Sequence, residues 1–221
     1  MPEMTLVSNS AAGTAIRALT FDAPPEGYTI PGQFVTASIG DLKPGFFAIA
    51  SSPGENLVLL LKQAGETAEA LTALEPGALV SVTPAMGNGF ALERTVGREL
   101  VILVNGSGIS AVRPVVEAEI AAGLPRAVHL FYGVLSMAHR SFVDDLERWT
   151  GAGVSLHVCV SQPDGEGNEG QRGFVQVRAK EVGLVRADVS VVLVGVRPMV
   201  EQAKEFYAAV GCPEDQVLLN F

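Results

Sequence analysis

The chain has 221 residues, enough for one large domain or two small ones, and at 48% hydrophobic against 18% charged it is neither disordered nor fibrous. A formal charge of −9 leaves no basic surplus to displace counterions, which excludes nucleic acid as a partner and removes long-range steering toward acidic proteins. No apolar stretch approaches the roughly 20 residues that span a bilayer, so no membrane span is expected.

The N-terminus, MPEMTLVSNS, lacks the basic start and long apolar region of a secretory signal, and a soluble intracellular protein is expected. Residues 1–92 then read as β structure. Short β-rich runs fall at Thr5–Val7, Ala15–Phe21, Phe34–Ile39, Phe46–Ala50, Leu57–Lys62 and Leu79–Thr83. Proline–glycine turns punctuate them at Pro31-Gly32, Pro44-Gly45, Pro53-Gly54 and Pro76-Gly77. Six antiparallel strands with one helix, Thr67–Leu74, predict a small closed β-barrel, which leaves no exposed edge.

A polar stretch around Leu92–Arg98 ends this pattern, giving expected domains of 1–92 and 93–221. Beyond it, apolar runs at Leu100–Val104, Ala127–Tyr132, Val154–Val160, Val189–Val194 and Gln216–Leu219 alternate with helical segments. Those segments are Ser110–Ala122, Ser141–Thr150, Phe174–Val182 and Met199–Val210. Near-continuous apolar strands alternating with helices predict an α/β domain with a five-stranded parallel sheet covered on both faces. Gln162–Arg172 reads as an exposed loop.

The most informative stretch is Arg98–Gly123, where an apolar strand runs through Asn105-Gly106-Ser107-Gly108 into a helix. Glycines there permit close approach and positive φ, and free N–H groups at the helix start face an anion such as a pyrophosphate. Steric joining of strand and helix explains such a turn equally well. Cys159 and Cys212 fit neither a disulfide framework nor a metal site, and Cys159 reads as a buried hydrophobe. His129 and His157 read as strand-face histidines rather than ligands.

Pro31-Gly32-Gln33-Phe34-Val35, Phe47-Ala48-Ile49-Ala50-Ser51-Ser52-Pro53, Leu61-Lys62-x-x-Gly65-Glu66-Thr67 and Gly87-Asn88-Gly89-Phe90 follow one another in the first half. Gly106-Ser107-Gly108-Ile109-Ser110, Phe131-Tyr132-Gly133 with Arg140, and Gly195-Val196-Arg197-Pro198-Met199 follow in the second. In this order they resemble the ferredoxin–NADP reductase superfamily of flavin-dependent oxidoreductases along nearly the whole chain. Within it, Gly45–Ser51 looks closest to a plant-type plastid branch, the fruit-protein group, which implies a chloroplast stroma location with the transit peptide absent from this chain.

The resemblance implies FAD against Phe47, Ala48, Ile49 and Ala50, with its pyrophosphate at Lys62, Gly65, Glu66 and Thr67, where Thr67 caps a helix. It implies a nicotinamide dinucleotide at Gly106, Ser107, Gly108 and Ile109, with its ring near Gly195, Val196, Arg197 and Met199. Ser161 and Arg172, with Phe174, stand where NADPH-using members bind the 2′-phosphate, which implies NADPH slightly ahead of NADH. Phe221 stands where many members carry an aromatic gate over the flavin.

Several positions depart from the family. Its Arg-x-Tyr-Ser is Gly45-Phe46-Phe47-Ala48 here, so a cation, a phenol and a hydroxyl are missing and FAD binding is expected to be weak. Phe46 reads either as barrel core or as part of the site. The cysteine near the nicotinamide is Val194, and the proline after the glycine turn is Ala111. The expected activity is hydride transfer from NAD(P)H to flavin, then electrons to a separate, unidentified acceptor. The rivals are a family-derived binding or regulatory module that has lost its flavin, and a flavin exchanger that uses FMN as a substrate at a loosened site.

Overall fold

The computed structural model describes residues 2–162 and 170–220. The chain forms two compact units: one runs to Gly89 and takes in Ser110–Val115 and the chain end from Asn220, the other comprises Phe90–Ile109 and Val116–Leu219.

In the first unit, β1 (Glu3–Ala11), β2 (Ile16–Phe21), β3 (Phe34–Ser38), β4 (Gly45–Ala48), β5 (Val58–Lys62) and β6 (Leu79–Val82) form one antiparallel sheet in the order β4-β3-β6-β1-β2-β5. Alternation drives it: Met4 and Leu6, Leu19 and Phe21, Val35 and Ala37, and Leu59 and Leu61 turn to one side and pack into a single core. The end strands meet only just beyond β4, through an Ile49–Leu59 bridge and an Ala50 N–H that donates to Val58 O at 2.8 Å. Among the described residues the expected barrel is therefore a six-stranded sheet joined end to end at one bridge. The Pro53-Gly54 turn follows too soon for a longer ladder. Helix α1 (Glu66–Thr72) follows β5.

In the second unit, β7 (Leu100–Asn105), β8 (Val128–Val134), β9 (Ser155–Val160), β10 (Gln171–Arg172), β11 (Ser190–Val194) and β12 (Val217–Leu218) form a parallel sheet in the order β10-β9-β8-β7-β11-β12. That is one strand more than expected. The extra strand, β10, is two polar residues pairing with Cys159 and Val160, too short and too hydrophilic to announce itself. Its helices are α3 (Val143–Ala152), α4 (Val175–Glu181) and α5 (Arg197–Ala209), and α2 (Ile109–Ala121) is divided between the two units. Strands β7 and β11 are buried almost throughout, as strands covered on both faces must be. On one face Val101, Leu103, Phe131, Val191 and Leu193 pack against Val175 and Ala179 of α4 and Val200, Ala203 and Tyr207 of α5. No helix among the described residues is long and apolar enough to cross a membrane.

Candidate functional site

Strand β4 pairs Gly45 with Ala37, Phe46 with Thr36, Phe47 with Val35 and Ala48 with Phe34. Directly opposed residues share a face, so Gly45 and Phe47 lie on the side of buried Val35 and Ala37, and Phe46 lies on the other. Phe46 is 72% exposed, its ring 5.8 Å from that of Phe34, which removes it from the core. Phe47 is half-buried against the core, and its ring leans back along the strand. A Cβ on Gly45 would lie 2.7 Å from Phe47 Cζ, so the ring occupies the place of the missing side chain.

Phe34 N–H donates to Met86 O and Ile49 N–H to Gln33 O. The Phe34–Ala48 pair is therefore one without mutual hydrogen bonds, and Ala48 N–H points away from β3. Ile49 and Ala50 are fully buried with their N–H groups spent in the sheet, and Ala50 O accepts from Arg113 Nη1 at 2.9 Å. Neither offers a side chain to a ligand.

Lys62 is exposed at the end of β5. Gly65, at φ 87°, is the N-cap of α1, where no side chain caps the helix. The expected Thr67 cap is not formed: Thr67 lies inside the first turn, and its hydroxyl donates to Lys43 O at 2.7 Å. Glu66 and Glu69 make that turn acidic.

In the second unit, β7 ends at Asn105 and a short 3₁₀ turn, Gly106–Gly108, leads into α2. Gly106 has φ 56°, which favours glycine, and a Cβ on Gly108 would lie 3.0 Å from Val194 Cγ1, so the turn packs tightly on β11. Ile109 is fully buried and anchors the helix start. Ser107 does not cap α2.

Across from this turn, β11 ends in Gly195 at φ 157°, and Val196 N–H donates to Asn105 Oδ1 at 3.1 Å. Val196 and Arg197 are exposed, and Arg197 Nε pairs with Glu201 at 2.6 Å. Met199 is buried in the core, its methyl 2.7 Å from the place of a Gly195 Cβ, so it supports the turn from beneath rather than lining it. Val194 and Val104 are paired neighbours, which sets the two turns side by side at the carboxyl ends of β7 and β11. From β7 the chain builds outward to β8, β9 and β10, and then returns to β11 and β12 on the other side. This reversal is the switch point at which open α/β sheets bind ligands.

Farther along the same edge, Arg172 is the register partner of Val160, next to Ser161, and both Ser161 and Arg172 are exposed. Ser161 N–H donates to Val134 O at 3.0 Å. Phe174 is 60% exposed at the start of α4. Phe221 lies outside the described residues. Both cysteines are buried, and burial pushes the Cys159 thiol up to about 11.

Two solved structures match this chain closely in fold. The ferredoxin reductase in carbazole 1,9a-dioxygenase matches with a TM-score of 0.86 over 99% of this chain and 68% of its own, at 21% identity. A ferredoxin NADP+ reductase from Neisseria gonorrhoeae with bound FAD and NADP matches with 0.83 over 99% and 97%, at 15% identity. The fold is ferredoxin reductase-like.

No protein-family model matches the chain. Fruit protein pKIWI502 of Actinidia deliciosa is 29% identical over 212 residues, 87% of this chain and 66% of that protein. The toluate 1,2-dioxygenase electron transfer component of Pseudomonas putida is 28% identical over 189 residues, 82% and 55%. The chain thus spans just under two thirds and just over half of these curated relatives.

Within the ferredoxin reductase-like frame, the residues fit the two nucleotides unequally. The nicotinamide side fits: both glycine turns lie at the switch point, a Cβ at Gly108 would crowd Val194, and one at Gly195 would collide with Asn105. The flavin ring end also fits, with a half-buried Phe47 and an Ala48 N–H directed off β3. The flavin phosphate end does not fit, because Gly45 supplies no cation and α1 opens with two carboxylates. Asn105 and Arg113 are residues that sequence reasoning passed over. The signal for Asn105 is a side chain with a strong acceptor just ahead of a glycine turn, opposite a second one.

Proposed function

We propose that the chain is a flavin-dependent NAD(P)H oxidoreductase that passes electrons to a separate acceptor. The observation that carries this reading is the pair of glycine turns, Gly106–Gly108 and Gly195–Val196, at the ends of neighbouring β7 and β11. In it, residues 93–221 bind the nicotinamide dinucleotide, with backbone N–H groups of Gly106, Ser107 and Gly108 at the pyrophosphate, Ile109 anchoring the turn from beneath, and Gly195, Val196 and Arg197 near the ring. Residues 1–92 bind flavin against Phe47 and Ala48. When bound, the flavin supplies a hydride-accepting ring and lets electrons leave singly or in pairs.

The protein's own tasks are position and exclusion of water. Hydride transfer needs no general acid or base from the chain, so the two glycine turns suffice. Arg172 beside Ser161 supports NADPH over NADH, since a guanidinium fork suits a 2′-phosphate. The named relative that serves as an electron transfer component supports a protein acceptor.

The deciding experiment is the absorption spectrum of the flavin-loaded protein before and after anaerobic NADPH addition. Bleaching of the flavin band is expected. A protein that takes up no flavin and does not respond to NADPH is instead the binding module.

A further inference from the structure

The ring end and the phosphate end of the flavin subsite differ in a way that selects the ligand. At the phosphate end, Gly45 carries no side chain, and Phe47 Cζ would stand 2.7 Å from any Cβ placed there. A side chain at position 45 would need the end of that ring to shift. Helix α1 has seven residues, no side-chain cap, and exposed Glu66 and Glu69 in its first turn. The Thr67 proton is committed to Lys43 O. Lys43 and Lys62 are exposed and solvated, and against the two carboxylates they leave no net positive charge for a diphosphate. The ring end keeps its parts, Phe47 and the Ala48 N–H.

Resting on the flavin reading above, we propose that the chain grips flavin by its isoalloxazine and ribityl portion alone. Riboflavin and FMN then bind about as tightly as FAD, and flavin exchanges with solution instead of remaining resident. A charge-assisted diphosphate contact is worth about ten- to a hundredfold in affinity, and that factor is absent here. The sign of the salt dependence also differs. A diphosphate held by a cation loosens as salt rises, whereas one facing Glu66 and Glu69 is relieved by screening.

The test is a fluorescence titration of the full-length, flavin-stripped chain with riboflavin, FMN and FAD at low and high salt. Three dissociation constants within about threefold of one another are expected, with FAD binding unchanged or tightened by salt. The double variant E66K/E69K, altered only at exposed positions, is expected to tighten FAD about tenfold and leave riboflavin unmoved. FAD binding tenfold tighter than riboflavin in the native chain overturns the proposal and leaves the flavin reading standing. So does a double variant that leaves FAD binding unchanged. Failure of all three flavins to bind overturns both.

Discussion

Asn105 Oδ1 accepts the Val196 N–H at 3.1 Å and so ties the turn after β7 to the turn after β11. The motif that Gly195–Met199 resembles has proline at position 196, and proline has no N–H to give. Gly195 completes the lock, because a Cβ there would collide with the same oxygen. Three residues on two strand ends thus hold the two turns together.

Breaking this hydrogen bond from either side should have the same consequence. Asn105→Ala and Val196→Pro are each expected to weaken NADP+ binding about three- to tenfold, in line with about 0.5–1.5 kcal/mol for one hydrogen bond. The double variant should be no worse than the worse single one, since both remove one interaction. Calorimetric titration with NADP+ reads this directly. Additive losses would mean that the two residues act separately.

Phe47 and Gly45 make a second coupled pair. Gly45→Ala is expected to push the Phe47 ring out of place and lower riboflavin affinity about three- to tenfold, as Phe47→Ala should by removing it. Phe46→Ala is the control: its exposed ring touches Phe34 on the opposite face, and flavin affinity should stay within twofold. Flavin fluorescence quenching distinguishes the three variants.

These pairs mark where sequence reasoning reaches its limit. The two-unit plan was legible because alternation in β1–β6 and continuous apolar runs in β7, β8, β9 and β11 follow from which faces are buried. The glycine turns were legible because positive φ and close approach leave glycine as the cheapest residue. Which β4 aromatic faces the core was not legible, since two adjacent phenylalanines satisfy either parity, and only the register with Val35 decides. Thr67 was misjudged because a hydroxyl at a helix start has rivals for its hydrogen bond, and Lys43 O, 24 residues away, wins it. Met199 falls in a motif beside the ring, yet helical periodicity turns it into the core.

Arg172 offers a test of cofactor preference. Arg172 is exposed, and its register partner Val160 directly precedes Ser161. Arg172→Ala is expected to lower kcat/KM for NADPH about tenfold and leave NADH unaffected, because only NADPH carries the 2′-phosphate. Steady-state kinetics with both donors measures the ratio. Equal losses with both would place Arg172 outside the phosphate subsite.

His157 gives the second unit a pH-dependent component of stability. Its ring stacks on Phe131 at 4.4 Å, and its pKa is lowered first by burial, then by Arg178 of α4, then by His129 of β8. The unfolded chain therefore binds a proton that folded His157 refuses, and stability rises with pH across that window. The contribution is intact above about 6.5 and is lost as pH falls toward the lowered folded value. Denaturant midpoints should drop between pH 7 and 5.5 in the native chain and drop less in His157→Leu. Glu99, whose carboxyl is held low by Arg186 and then by His129, acts below this range.

Arg126 and Glu119 form a buried ion pair, with side chains only 10% and 9% exposed. Arg126 also donates from Nη1 to Thr95 O at 2.7 Å and to the Thr95 hydroxyl, tying α2 to the segment that leads into β7. Removing one partner strands the other charge in a dry site. Glu119→Ala or Arg126→Ala is expected to cost about 3–5 kcal/mol of unfolding free energy. Glu119→Leu with Arg126→Met removes both charges while keeping the volume, and should cost clearly less than either single change, because desolvation of two ions is avoided along with their attraction. Urea unfolding of the four chains closes this cycle. A double variant as damaged as the singles would show that the pair is held for its hydrogen bonds to Thr95 and not for its charge.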